Sequence, residues 1–301
     1  MQIDPYQPGS LRLDTEGPLE WYAGVRSSKQ IEIAVVSDIK LNGLESSKSV
    51  TASCNLRKDG KYYISFLLTE MSEKDVFVSM CTDIIDNSAE GKDEKDALKK
   101  VSYRYRQWRR LMAKKSISIL SDSERKGLIG ELLFLNEILG ERRPQAEVLD
   151  GWVGPDGADQ DFVYDENWTE VKTTEQASDK VEIHSFEQLG TRSDHGVLRI
   201  YRVDGCAPEL EGAFTLRSLV RKTRQKFAGD LDLAEKFDAK LSNIGYIDLE
   251  AYDMYSYKFF SFDEYDVNET FPRMTREDAA PEIVNCAYSI SIPAIDHWKK
   301  G

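Results

Sequence analysis

The sequence has only four cysteines in 301 residues, Cys54, Cys81, Cys206 and Cys286, and no two form a CxxC pair. That spacing speaks against a zinc ribbon, a haem attachment site and a disulfide scaffold, and it fits reduced thiols. No run of 18 apolar residues exists, so no transmembrane helix and no membrane partner are expected. Residues 1–12 lack a charged-then-apolar signal pattern, so secretion is not expected and a cytoplasmic location is. No GxSxG, HExxH or GxxxxGK[ST] occurs, which removes the hydrolase elbow, the zincin and the P-loop motor. Any strand separation or translocation would have to come from an ATPase or helicase acting in trans. Cations are outnumbered by carboxylates, 40 to 53, for a net charge of -13. A dedicated non-specific DNA coater is therefore a poor reading. Nucleic acid is not excluded, because binding depends on local patches and a carboxylate-rich metal site adds negative charge of its own.

Hydrophobic residues make up 41% of the chain and charged residues 31%, a globular composition with enough apolar material for at least one core. The first third reads as a β module. Residues 30–37, 49–55, 61–69 and 75–82 are short runs rich in β-branched and aromatic residues, separated by turns such as Lys58-Asp59-Gly60. A helix is expected from about Lys92 to Lys115. Its second half carries Lys99, Lys100, Arg104, Arg106, Arg109, Arg110, Lys114 and Lys115 without one acidic residue, with Tyr103, Tyr105 and Trp108 among them. On an acidic protein this is a local reversal of sign. Arg104, Arg106, Arg109, Arg110 and Lys114 are candidate nucleic-acid contacts; the competing reading is a solvated helix with Trp108, Leu111 and Met112 packed inward.

Ser121 and Glu124 form a capping-box pattern at the head of a further helix, with Leu120 as a staple. Leu128, Leu132, Leu135 and Leu139 follow on one stripe, and Gly140 is the expected stop. Glu131 interrupts this apolar run, and a carboxylate buried there needs a partner or a metal. After Trp152 a Gly- and Asp-rich loop leads to strands at 161–164 and 168–173, then strands at 181–185 and 196–203, with a helix opening at 185–189. Helices at 216–227 and 232–241 and strands at 255–262 and 283–292 complete the chain. Arg217, Arg221, Lys222, Arg224 and Lys226 of the first of these helices are further candidate backbone contacts. The organisation expected is an N-terminal β-rich module ending in a basic helix (1–115), a central core (116–210) and a C-terminal α/β extension (211–301), an α+β or α/β architecture overall.

Glu170 and Lys172 are two residues apart on an expected strand and share a face, with Val171 opposite. A hairpin brings Asp161 beside them if it pairs opposite either Glu170 or Lys172; a slip of one residue does not. Two carboxylates and one ammonium on a rigid hairpin suit metal-assisted phosphodiester hydrolysis, with magnesium as a natural oxygen-liganded ion. His184 and His195 flank this set and read as ordinary neighbours.

These residues, with Gly127 to Leu135, Trp152, Gly154-Pro155, Glu170 to Thr174, Ile183 to Ser185 and Gln188-Leu189, resemble the PD-(D/E)XK nuclease superfamily. The nearest likeness is to the PD-(D/E)XK family members encoded beside bacterial restriction and phage-defence genes. The resemblance implies a restriction-endonuclease-like αβββαβ core. It implies Glu131 as the helix acid, Asp161 as the metal-binding aspartate, Glu170 and Lys172 as the (D/E)XK pair, and Gln188 as a supporting polar residue. The literal Pro155-Asp156 lies in the loop before the strand. Asp159 is a nearer rival, and Asp161 is preferred because Phe-Val-Tyr follows it at once. The expected activity is Mg2+-dependent cleavage of DNA, with Mn2+ able to substitute. Other defence proteins and a homodimer are partners open to such a chain. The alternatives are a catalytically silent nuclease-fold subunit of a larger defence complex, and a structural β-rich protein in which Asp161 and Glu170 point apart.

Overall fold

The computed structural model describes residues 9–26, 30–112, 119–141, 143–164, 167–190 and 195–300. The chain is mixed α+β and divides into two compact units, Met1–Ser118 and Ile119–Gly301. Among the described residues no helix is long and apolar enough to cross a membrane.

The first unit contains β1 (Gly9–Arg12), β2 (Trp21–Val25), β3 (Ile31–Ser37), β4 (Val50–Leu56) and β5 (Tyr62–Leu68), then α1 (Lys74–Ala89) and α2 (Glu94–Met112). The strands form one antiparallel sheet in the order β1-β2-β3-β5-β4. The strand expected over 75–82 is instead the first half of α1. Phe77, Met80, Cys81, Ile84 and Ser88 are its buried positions, a spacing of three and four that only a helix presents on one side.

The second unit opens with α3 (Asp122–Ile138) and α4 (Gln145–Gly151). Ser121 Oγ accepts from the Glu124 N–H at 3.3 Å and the Glu124 carboxylate accepts the Ser121 N–H at 2.7 Å, so the capping box forms as the sequence implies. Then follow β6 (Phe162–Tyr164), β7 (Asn167–Thr174), β8 (Lys180–Ile183), β9 (His195–Gly205), β10 (Phe214–Thr215), α5 (Leu216–Gln225), α6 (Leu231–Ile244), β11 (Ser256–Val267) and β12 (Tyr288–Ser291). Five strands make a mixed sheet, β10-β11-β9-β7-β6, in which β7 and β9 run parallel and the other pairs antiparallel. β8 leaves this sheet and pairs with β12. The helix expected from 185 is a single 3-10 turn, Glu187–Leu189, which Gly190 ends; the strand expected over 283–292 is confined to Tyr288–Ser291.

Period two divides the sheet's side chains between two cores. Val171, Tyr201 and Val203 join Leu128, Leu132, Leu135, Leu219, Phe237 and Leu241 of the helices. Trp168, Leu198 and Ile200 join Val181, Ile183, Ile290 and Ile295 on the other face. α3 lies close on β7 because Gly130 has no side chain. A Cβ there would stand 2.2 Å from Thr173 Oγ1 and 3.2 Å from Val171 Cγ1, whereas one on Gly127 would meet nothing within 4 Å.

Two opposite results follow from these two glycines. Alanine is favoured over glycine inside a helix by about 0.8–1 kcal/mol, so Gly127→Ala raises stability by up to about that amount. At Gly130 the overpacking cost of about 1–3 kcal/mol outweighs the propensity gain, and Gly130→Ala lowers stability. Urea unfolding midpoints of the two variants check the difference in sign.

Candidate active site

Strand β6 pairs Phe162 with Thr169, Val163 with Trp168 and Tyr164 with Asn167, and stops there. That register sets Asp161 opposite Glu170, one of the two alternatives open from the sequence. Beyond Thr169 the outer edge of β7 has no strand partner among the described residues, and the side chain of Asp161 fills in: its Oδ2 accepts the Val171 N–H at 2.8 Å. The Asp161 carbonyl accepts the N–H groups of both Val153 and Gly154, each at 2.9 Å, which fixes the residue from its other side.

Glu170 and Lys172 project from the face of β7 opposite Val171. Their register partners on β9 are Leu198 and Ile200, both buried. Lys172 Nζ lies 2.9 Å from Glu170 Oε1. Glu170 is 1% exposed, and among the described residues its Oε2 has no hydrogen-bond partner. Glu131, half-buried on α3, accepts the Trp152 indole N–H at 2.7 Å. Trp152 is itself locked against Phe162 and Phe237.

Gly154 floors the space between two of these acids. A Cβ placed on it would lie 2.9 Å from Asp161 Oδ1 and 3.5 Å from Glu131 Oε2.

The electrostatics reflect three acids against one nearby lysine in largely apolar surroundings. Burial, then the charge of Asp161, pushes the Glu131 carboxyl up to about 8, against the pull of the Trp152 N–H and Lys172. Burial raises Asp161 to about 6, with the Val171 N–H and Lys172 drawing it back. Burial and Asp161 hold Glu170 well above the usual carboxylate range although Lys172 touches it.

Gln188 Oε1 accepts the His184 backbone N–H at 2.7 Å and braces the turn that follows β8. The amide that ties this turn to the acids is Gln160, which the sequence reading passed over as a loop residue. Gln160 is 2% exposed, and its Nε2 donates to the carbonyls of Glu187 at 2.7 Å and Gly190 at 3.3 Å. Asp156 is engaged by Lys240 at 2.5 Å and by Asn243 at 3.3 Å. Asp159 is exposed, as is His184; the His195 side chain lies outside the described residues.

The basic segments sort themselves by burial. Arg104 is buried and forked onto Asp83, with Gln107 accepting a third N–H at 2.7 Å, so this guanidinium braces α1 against α2 and is withdrawn from any phosphate. Arg109 is paired with Glu45, Arg106 and Arg110 are exposed, and Lys114 and Lys115 lie outside the described residues. On α5, Arg217 bonds Asp248 and Asp253, Arg221 bonds Asp248, and Arg224 bonds Asp238; Lys226 donates to the Asn136 carbonyl just beyond the helix. Lys222 is exposed.

A family model described as "Putative PD-(D/E)XK family member (DUF4420)" matches residues 4–293. The chain belongs to this family. No significant match is found among curated proteins or among solved structures. PD-(D/E)XK proteins are generally nucleases and generally use divalent metals, so the family suggests a nuclease-like function with DNA as substrate. Against that background, two observations fit an oxygen-liganded cation: the orphaned Glu170 Oε2, and the side-chain-free floor at Gly154 between Asp161 and Glu131. Among the described residues no three His, Cys, Asp or Glu side chains already stand at ligand distances from one point.

The raised carboxyls predict how stability depends on pH when a chelator is present. The folded protein keeps a proton on Glu131 up to about pH 8, while the unfolded chain releases it near its ordinary value of 4.5. The stability linked to that proton is present in full below the unfolded value and is lost as pH rises through the folded one. The melting temperature in EDTA is expected to fall from pH 5 to pH 8, and Glu131→Gln to flatten the fall. Thermal scans across that range check both.

Proposed function

We propose that this protein is a Mg2+-dependent endonuclease that hydrolyses DNA phosphodiester bonds, serving restriction or phage defence in bacteria. The observation that carries the reading is the meeting of Glu131, Asp161, Glu170 and Lys172 where the edge of β7 is left open. Asp161 and Glu170 are the groups to hold the divalent ion, and Glu131 completes or orients that shell from α3. When bound, the ion supplies polarisation of a phosphoryl oxygen and neutralises charge on the leaving oxygen.

The chain's own groups do the rest. Lys172, beside Glu170, donates to a water oxygen and directs its free lone pair at phosphorus. The Val171 N–H holds one oxygen of Asp161, so Asp161 Oδ1 is left toward Gly154 for a ligand. Trp152 steadies Glu131 through its indole N–H. Leu198 and Ile200 keep bulk water from the base of the pair on β7, which strengthens each charge interaction there. In the overall reaction a water gives up one proton as its oxygen bonds to phosphorus, the bond from phosphorus to one sugar oxygen breaks, and that oxygen takes up a proton, so that one water is consumed for each bond cut.

Asp161→Ala and Lys172→Ala are each expected to cut supercoiled plasmid in Mg2+ at least a hundredfold more slowly than wild type. Gly154→Ala, at a backbone position without positive φ, is expected to lose cutting by pressing on Asp161. Wild-type rates in both purified Asp161 and Lys172 variants would reject the assignment. A protein that neither cuts nor takes up Mn2+ in calorimetry, yet co-purifies stoichiometrically with the product of an adjoining gene, is the silent subunit instead.

A further inference from the structure

The first unit carries a charged face of one sign that the active-site reading does not use. On α2, every side chain that is exposed among the described ones is a cation: Lys95, Lys99, Arg106 and Arg110. Their steps of four, seven and four residues keep them on one stripe of an α-helix, about 22 Å long at 1.5 Å per residue. The opposite face is closed, with Ala97, Leu98, Val101, Tyr105 and Trp108 all buried. Elsewhere on the same helix Arg104 is paired with Asp83, Arg109 with Glu45 and Lys100 with Glu90.

Mixed signs are the more stable arrangement on a helix face, because opposite charges four apart stabilise a helix and like charges four apart destabilise it. Here Lys95 and Lys99, and again Arg106 and Arg110, stand four apart with like charge. This unmixed stripe belongs to a chain of net charge -13. The ligand that such a row matches is a linear array of anions at regular spacing. Each strand of a nucleic-acid duplex presents that array, one phosphate per 3.4 Å of axis.

We infer that the α2 stripe is a nucleic-acid backbone-binding surface, a holding site on the first unit separate in sequence from the catalytic residues. Lys95, Lys99, Arg106 and Arg110 bind phosphates and read no bases, so the contact is independent of sequence. The inference rests on the nuclease reading for its choice of nucleic acid and names the surface that holds the substrate.

The test measures binding without cutting. A fluorescein-labelled 30-bp duplex is titrated with the full-length protein in EDTA between 50 and 200 mM NaCl. The variant Lys95→Gln/Lys99→Gln/Arg106→Gln/Arg110→Gln is compared with a control of equal charge change in the same unit, Lys40→Gln/Lys48→Gln/Lys58→Gln/Lys61→Gln, all exposed. Each lost phosphate contact removes about 0.9 from the slope of log K against log salt. The stripe variant is expected to bind at least tenfold more weakly at 100 mM, with the slope reduced by about 3–4. The control is expected to stay within about 1 of wild type in slope. Because like-charge repulsion is relieved, the stripe variant is expected to melt no lower than wild type.

Equal losses in the two variants would make the effect one of net charge and overturn the inference. So would an unchanged stripe variant, or a wild type that sediments with phosphatidylserine vesicles but does not bind duplex. Normal cutting by the Asp161 and Lys172 variants would reject the active site while leaving these binding results to stand or fall alone.

Discussion

The Asp161 side chain accepts the backbone N–H of Val171 because β6 begins only at Phe162, too late in the chain for its backbone to do so. A strand that began several residues before Phe162 would pair more of the edge of β7 and seal it. Instead the chain turns through Val153 and Gly154, whose N–H groups hold the Asp161 carbonyl, and a side-chain oxygen takes the place of a ladder hydrogen bond. That substitution satisfies a buried donor. It also leaves a carboxylate oxygen beside the side-chain-free floor at Gly154, where Glu131 reaches from α3. The place where these acids meet thus follows from where a three-residue strand begins.

The surroundings set the chemistry. Glu170 and Lys172 sit among the side chains of a second core, next to Leu198 and Ile200, and Glu131 interrupts a leucine stripe. Three carboxylates share one nearby ammonium, and without further positive charge the acids hold on to protons far above the usual range. A buried carboxylate oxygen with no partner is costly, and structures retain such groups where a ligand completes them. A divalent cation answers both the missing charge and the missing bond. The cost of burying these acids and the proposed function therefore have one origin.

Much of this arrangement was legible in the sequence. Period two alone put Glu170 and Lys172 on one face, and the spacing of the hairpin limited Asp161 to two registers, of which the structure shows one. The capping box of α3 was readable because its partners are three residues apart. What escaped was decided at a distance. The resemblance marked Gln188 as a supporting polar residue, and in the structure its Oε1 holds the His184 N–H of a local turn. Gln160, hidden in a Gly- and Asp-rich loop, is buried by partners 27 and 30 residues away. Among the cations of α2 no local rule tells which turns inward; Asp83, 21 residues earlier, selects Arg104. The run from Asp75 to Thr82 satisfies both strand and helix patterns over eight residues. Its helical period shows only when the pattern is followed to Ser88.

The central claim is that these side chains gather around one divalent ion at the open edge of β7, and an anomalous difference map of crystals soaked in Mn2+ tests it most directly. The account predicts a peak bonded to oxygens of Asp161 and Glu170, on the Gly154 side of Asp161. A well-ordered site with no peak there, or with manganese held only by other residues, would contradict it.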